Sequence, residues 1–133
     1  MNPLKIFLVE DSAVIRASLI ATLEELAPVR IVETAEDESS AIEWMRNASN
    51  HFDLAIVDIQ LRSGTGLGVI SAAHQLTSPC KVVVLTNYAT ASMRVKCLNL
   101  GADQVFDKSN EIDSLLDYCN ALASNAANGQ ASR

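Results

Sequence analysis

The chain has 133 residues, 49% hydrophobic and 20% charged, which sets the expectation of one soluble globular domain with no room for a second. Ten Lys and Arg against 16 Asp and Glu give a net charge of -6, which argues against general affinity for nucleic-acid phosphates. No apolar run approaches the ~20 residues of a membrane helix. Glu10 and Asp11 follow the first apolar run directly, unlike the zones of a signal peptide. Three cysteines, Cys80, Cys97 and Cys119, lack metal-ligand spacing and read as reduced thiols of a cytoplasmic protein.

Strand-like and helix-like segments alternate. The apolar run Leu4–Val9 is followed by Ser12, which can cap a helix with Ile15, Leu19, Leu23 and Leu26 on its inward stripe. Val29–Ala35 mixes β-branched and polar residues, as an edge strand does. Residues 39–47 read as a second helix with Ala41, Ile42, Trp44 and Met45 on its apolar side. Leu54–Val57, closed by Asp58, suits a central strand buried on both faces. Gly64, Gly66 and Gly68 mark a loop before a third helix that runs to about Leu76. The apolar strand 82–85 ends in Thr86. Ala91–Leu100 is helical with Ala91, Val95 and Leu98 on one stripe, and Gly101 stands at its C-cap. A short strand at 104–106 precedes a last helix, capped by Ser109 or Asn110, that carries Ile112, Leu115, Leu116, Cys119 and Leu122. The domain is expected over residues 1–123, with 124–133 a flexible tail or severed linker.

Five β–α units in series imply parallel strands with right-handed crossovers, hence a three-layer α/β fold. Functional groups in such sheets collect beyond the carboxyl ends of the strands. Glu10 and Asp11 follow the first strand, Asp58 the third, Thr86 ends the fourth and Lys108 lies past the fifth. Three carboxylates at one edge repel each other, and a hard divalent cation such as Mg²⁺ resolves the conflict. The pair Glu10 and Asp11 can also be read as a simple helix cap. Asp58, at the mouth of a buried strand, needs a partner, because an unpaired charge there is costly. A carboxylate beside Mg²⁺ can attack phosphorus and form an acyl phosphate. The phosphoryl oxygens would then be shared among Mg²⁺, the Lys108 ammonium, and the Thr86 hydroxyl with nearby backbone N–H groups.

The segments FLVEDS, LAIVDIQL, VVVLTNYA and VFDKS resemble the signature blocks of the receiver domain of two-component response regulators. The resemblance runs from about Leu4 to Leu122. It implies a CheY-like, flavodoxin-like, doubly wound sheet of order 2-1-3-4-5. It further implies Asp58 as phosphoacceptor, Asp11 as a direct Mg²⁺ ligand, Glu10 acting through a metal-bound water, and the backbone carbonyl of Gln60 as a further ligand. Thr86 and Lys108 take the phosphoryl-contacting roles. Three positions depart from the family pattern. Ser109 stands where a proline commonly follows the lysine with a cis peptide, a bond that costs ~3 kcal/mol more than trans before serine. Val105 stands where an aromatic switch residue is usual, and alternation points Phe106 to the opposite face. Asn87 stands where a small residue commonly follows Thr86.

Two rival chemistries fail on spacing. A haloacid-dehalogenase-type phosphatase needs a second aspartate two residues after the first, and Gln60 stands there. A dinucleotide site needs its glycines after the first strand, where two acids stand instead. A partner-binding module that is never phosphorylated remains a third reading. Asn47-Ala48-Ser49 matches a glycosylation triplet that a cytoplasmic chain would not use, and His51 and His74 read as solvent-facing.

The expectation is therefore a cytoplasmic, phosphorylation-dependent switch. It accepts its phosphoryl group from a histidine kinase or histidine phosphotransfer protein, catalyses only its own modification, and neither binds nucleic acid directly nor enters a membrane. Lys108 is read as a surface cation. The signal is expected to leave through residues 87–90 and the fourth helix, with Arg94 and Lys96 among the exposed groups. The surface of fourth helix, fifth strand and fifth helix is the family's usual homodimer or partner interface. A stand-alone receiver and the receiver of a longer regulator both stay open.

Overall fold

The computed structural model describes residues 3–127. The chain alternates strictly along them: β1 (Leu4–Val9), α1 (Ala13–Leu26), β2 (Val29–Ala35), α2 (Glu38–Arg46), β3 (Leu54–Val57), α3 (Gly66–His74), β4 (Lys81–Thr86), α4 (Ala91–Leu100), β5 (Gln104–Asp107) and α5 (Ile112–Ala127). All neighbouring strands pair in parallel, in the order β2-β1-β3-β4-β5. This is the parallel α/β sheet that the alternation implies, in the flavodoxin-like order that the resemblance implies.

The two-residue period of each strand sorts its side chains onto two faces. Phe7, Val57, Val84 and Val105 face α2, α3 and α4, where Ala41, Met45, Ile70, Ala73 and Cys97 cover them. Ile6, Ile56, Leu85 and Phe106 face α1 and α5, where Leu19, Leu23, Leu115 and Cys119 cover them. β3 is buried at every position, as a central strand covered on both sides must be. β2 is buried only at its two ends, Val29 and Ala35, in keeping with its place at the edge. A register shift between Ile6 and Phe7 bulges β2 around Val32. On the inner face of α2, Trp44 stacks on Phe7 with ring centroids 4.5 Å apart.

Helix ends follow their capping chemistry. The side chains of Ser12, Asp37, Thr65 and Thr90 accept from backbone N–H groups of the first turns of α1, α2, α3 and α4. Gly101 closes α4 with φ +117°, a backbone angle that favours glycine.

Four sequence expectations need correction. Leu26 is 55% exposed, on the outward side of the last turn of α1, whose inward residue is the buried Leu23. The stripe Ala91–Val95–Leu98 of α4 faces outward, and Met93, Cys97 and Leu100 pack inward instead. Ser109 and Asn110 do not cap α5: their N–H groups wrap round Asp107, and Glu111 precedes the helix. The last helix runs to Ala127, four residues past the expected boundary, while residues 128–133 lie outside the described residues.

Candidate functional site

The carboxyl ends of β1, β3, β4 and β5 bring the sequence-predicted residues to one edge. Asp58 is the first residue beyond β3, held by its N–H donating to the Val9 carbonyl (3.0 Å). Glu10 is the first beyond β1, and its N–H donates to the Ala35 carbonyl (2.9 Å). Backbone bonds to neighbouring strands thus fix where both side chains start.

The Lys108 ammonium lies between the two acids. It donates to Asp58 Oδ2 at 2.7 Å and to Glu10 Oε1 at 2.8 Å. Its side chain is only 12% exposed, so it is no surface cation. Glu10 is 2% and Asp58 8% exposed, which accounts for the pairing: two carboxylates withdrawn from water need a cation. Burial opposes the charge on Lys108, but hydrogen bonds to Asp58 and Glu10 outweigh it and hold its pKa above the ordinary lysine value. The second oxygen of Glu10 accepts from Ser12 N–H (3.0 Å), so this carboxylate is engaged on both sides. Its backbone carbonyl accepts from Arg16 (2.8 Å), whose guanidinium also pairs with Glu36 (3.0 Å).

Asp11, Asp58, Gln60, Asn87, Tyr88 and Lys108 all line one open pocket. Thr86 does not line it. That residue is fully buried, and its Oγ1 accepts from Tyr88 N–H at 3.2 Å. Accepting that bond uses a lone pair of the oxygen and leaves its O–H able to donate. Lys108 N–H donates to the Thr86 carbonyl (2.9 Å), which ties the two strand ends together.

The glycines act as structural spacers. A Cβ on Gly66 would lie 2.1 Å from the Asp58 carbonyl, so only glycine lets α3 begin this close to the site. Glu38 packs over Gly64 and Gly68 and accepts from Thr65 N–H at 2.9 Å, clasping the loop that carries Gln60.

Among the described residues, no three His, Cys, Asp or Glu side chains are grouped as a ready-made metal cage. The donor chemistry still fits a hard divalent cation. The carboxylates of Asp11 and Asp58 and the backbone carbonyl of Gln60, residues that line the pocket, are hard oxygen donors, and Mg²⁺ usually keeps several waters beside few protein ligands.

Sequence reading missed two groups that brace the site, Arg16 and Glu38, and misjudged Arg94. Arg94, expected to be exposed, is half-buried and donates to three acceptors. Their signals were single charged residues on helices, which carry no distinguishing pattern. The expected departures stand as read. Val105 and Phe106 are buried on opposite faces of the sheet, with Phe106 edge-on to Tyr118 at 6.0 Å. The Lys108–Ser109 peptide is trans. His51 and His74 are exposed, and all three thiols are free.

The family model of the response regulator receiver domain matches residues 6–120. The two-component response regulator PhoP of Pseudomonas aeruginosa is 29% identical over 119 residues, which cover 90% of this chain and 51% of that protein. The first curated relatives are longer proteins, of which this chain spans between 27% and 53%. The receiver domain of the Francisella response regulator 1452 superposes with a TM-score of 0.80 at 20% identity, covering 94% of this chain and 99% of that one. A Burkholderia pseudomallei response regulator, whose structure holds a phosphorylated aspartic acid, a calcium ion and citrate, superposes with a TM-score of 0.74 at 23% identity, covering 96% and 73%.

Proposed function

The chain belongs to the response regulator receiver domain family, and from that premise we propose that it is a phosphorylation-dependent switch with Asp58 as its phosphoacceptor. The observation that carries the reading is the Lys108 ammonium held 2.7 Å from Asp58 Oδ2, at the mouth of a pocket with oxygen donors. An ammonium placed there orients the carboxylate and offers a charge-assisted contact to an incoming phosphoryl oxygen.

In the proposed reaction, an Asp58 carboxylate oxygen attacks phosphorus, and the bond from phosphorus to the donor nitrogen breaks. The electron pair leaves with the donor's imidazole, which takes up a proton. Lys108 then exchanges its contact with Asp58 Oδ2 for one with a phosphoryl oxygen. The Thr86 hydroxyl, which accepts from Tyr88 N–H, donates its own O–H to another. Asp11, Asp58 and the Gln60 carbonyl would hold Mg²⁺, whose charge offsets the repulsion between the carboxylates and the phosphoryl group. Glu10, engaged by Lys108 and Ser12 N–H, would act through a water on the cation. Attack of water on the acyl phosphate resets the switch.

The donor is a histidine kinase or histidine phosphotransfer protein, and the chain turns over no separate substrate. It works in the cytoplasm; no helix among the described residues is long and apolar enough to cross a membrane. The outward stripe of α4, with Val95 58% and Leu98 48% exposed, supports α4, β5 and α5 as the surface for a second copy or an output partner. Acetyl phosphate should label the wild-type chain when Mg²⁺ is present, and chelation or Asp58→Asn should abolish the label. Asp11→Ala should lose it at limiting Mg²⁺. Undiminished labelling of Asp58→Asn would overturn the reading.

A further inference from the structure

The switch proposed above needs a route from Asp58 to α4, and the usual aromatic side chain is absent: Val105 stands in its place, buried and β-branched. A different group spans the same region. The Arg94 guanidinium, in the first turn of α4, donates from Nε to the Ala89 carbonyl at 3.1 Å. One terminal nitrogen donates to the Val105 carbonyl of β5 at 2.8 Å, and the other to Glu111 Oε1, just before α5, at 2.9 Å. The same Glu111 oxygen accepts from Asp107 N–H at 2.7 Å. One planar cation thus joins the loop after Thr86, the strand before Lys108 and the turn after it.

An ordinary surface ion pair would contribute little here, because ordering two flexible chains in water offsets most of their attraction. Arg94 differs in kind. Two of its three acceptors are backbone carbonyls on separate elements, and the rigid fork of a guanidinium fixes their relative placement. Its anchoring also counts for more on this helix than it would elsewhere. α4 buries only Cys97 fully, whereas α3 buries five residues, so α4 relies less on core packing.

We propose that Arg94 is the positioning residue that couples the phosphorylation site to α4, through Ala89 on the Thr86 side and Glu111 on the Lys108 side. The inference rests on Asp58 being the phosphoacceptor. When Thr86 and Lys108 are drawn toward a phosphoryl group, the two loops move relative to each other. The guanidinium spans both, so it cannot keep all three contacts unchanged, and the first turn of α4 shifts with it. Lysine at this position keeps the charge but cannot serve three acceptors in a fixed plane.

The test is amide exchange of the full chain, with and without acetyl phosphate and Mg²⁺, in wild type, Arg94→Lys and Glu111→Gln, with the phosphorylated fraction measured in the same samples. Arg94 touches neither Asp58 nor the oxygen donors of its pocket, so the expected phosphorylated fraction is unchanged. The phosphorylation-linked change in protection across Ala91–Leu100 should fall about fivefold or more in Arg94→Lys. Glu111→Gln, which keeps an acceptor for Asp107 N–H but loses the charge, should fall between that variant and wild type. A purely structural role would loosen α4 equally with and without the phosphodonor and leave the difference intact. An undiminished difference in Arg94→Lys overturns the coupling while leaving the phosphoacceptor reading in place. Failure of the wild-type chain to take label overturns both.

Discussion

Lys108 is the residue on which the resting site turns. It neutralises two acids contributed by strands that lie 98 and 50 positions away in sequence. Removing it leaves two nearly buried carboxylates without a cation, and a buried charge without a partner is costly. Lys108→Met should therefore lower stability by about 1–3 kcal/mol in urea unfolding. Adding Asp58→Asn should recover part of that loss, giving a non-additive double-mutant cycle. The pH dependence follows from the raised pKa of this ammonium. Its contribution is complete below the unfolded lysine value of 10.5 and disappears as pH rises through the higher folded value. The gap between wild type and Lys108→Met should thus stay constant from pH 7 to 9 and narrow only above pH 10.5. A gap that closed near neutrality would show that another group titrates. The residue types of this site were legible in sequence because each stands at the end of an apolar run. The burial of Lys108 and the withdrawal of Thr86 from the pocket were not, since both depend on rotamers set by neighbouring strands.

Among the elements, α4 shows how a pattern can mislead. It carries two apolar stripes, Ala91–Val95–Leu98 and Met93–Cys97–Leu100, and both fit a helical period. Only the second meets the sheet, because Thr90 and Gly101 fix where the helix begins and ends and Arg94 ties its first turn to β5. Periodicity alone had no means of choosing between the stripes. The strands and the places of the other helices were legible from runs such as Leu54–Val57, whereas the cap and end of α5 were not. Measured by urea unfolding, Leu98→Ala should change stability by no more than about 0.5 kcal/mol. Leu115→Ala, on a fully buried side chain of α5, should cost about 2–5 kcal/mol. A large loss from Leu98→Ala would mean that the outward stripe is covered by a second copy in solution.

Across the whole molecule, the order β2-β1-β3-β4-β5 does the assembling. It sets β1 beside β3 and β3 beside β4, so acids from the first and third strands and a hydroxyl from the fourth end at one edge. β5 then delivers Lys108 across β4 to reach Asp58. Two helices on one face and three on the other bury the sheet and leave that edge as an open pocket. The proposed switch requires that this edge accept a phosphoryl group on Asp58 and on no other acid. It is tested most directly by treating the chain with acetyl phosphate and Mg²⁺, trapping the acyl phosphate with borohydride, and mapping the reduced residue by peptide mass spectrometry. The expected result is reduction at Asp58 alone, absent when Mg²⁺ is chelated. Reduction at Asp11 or Glu10, or an unmodified Asp58 peptide after full treatment, would contradict it.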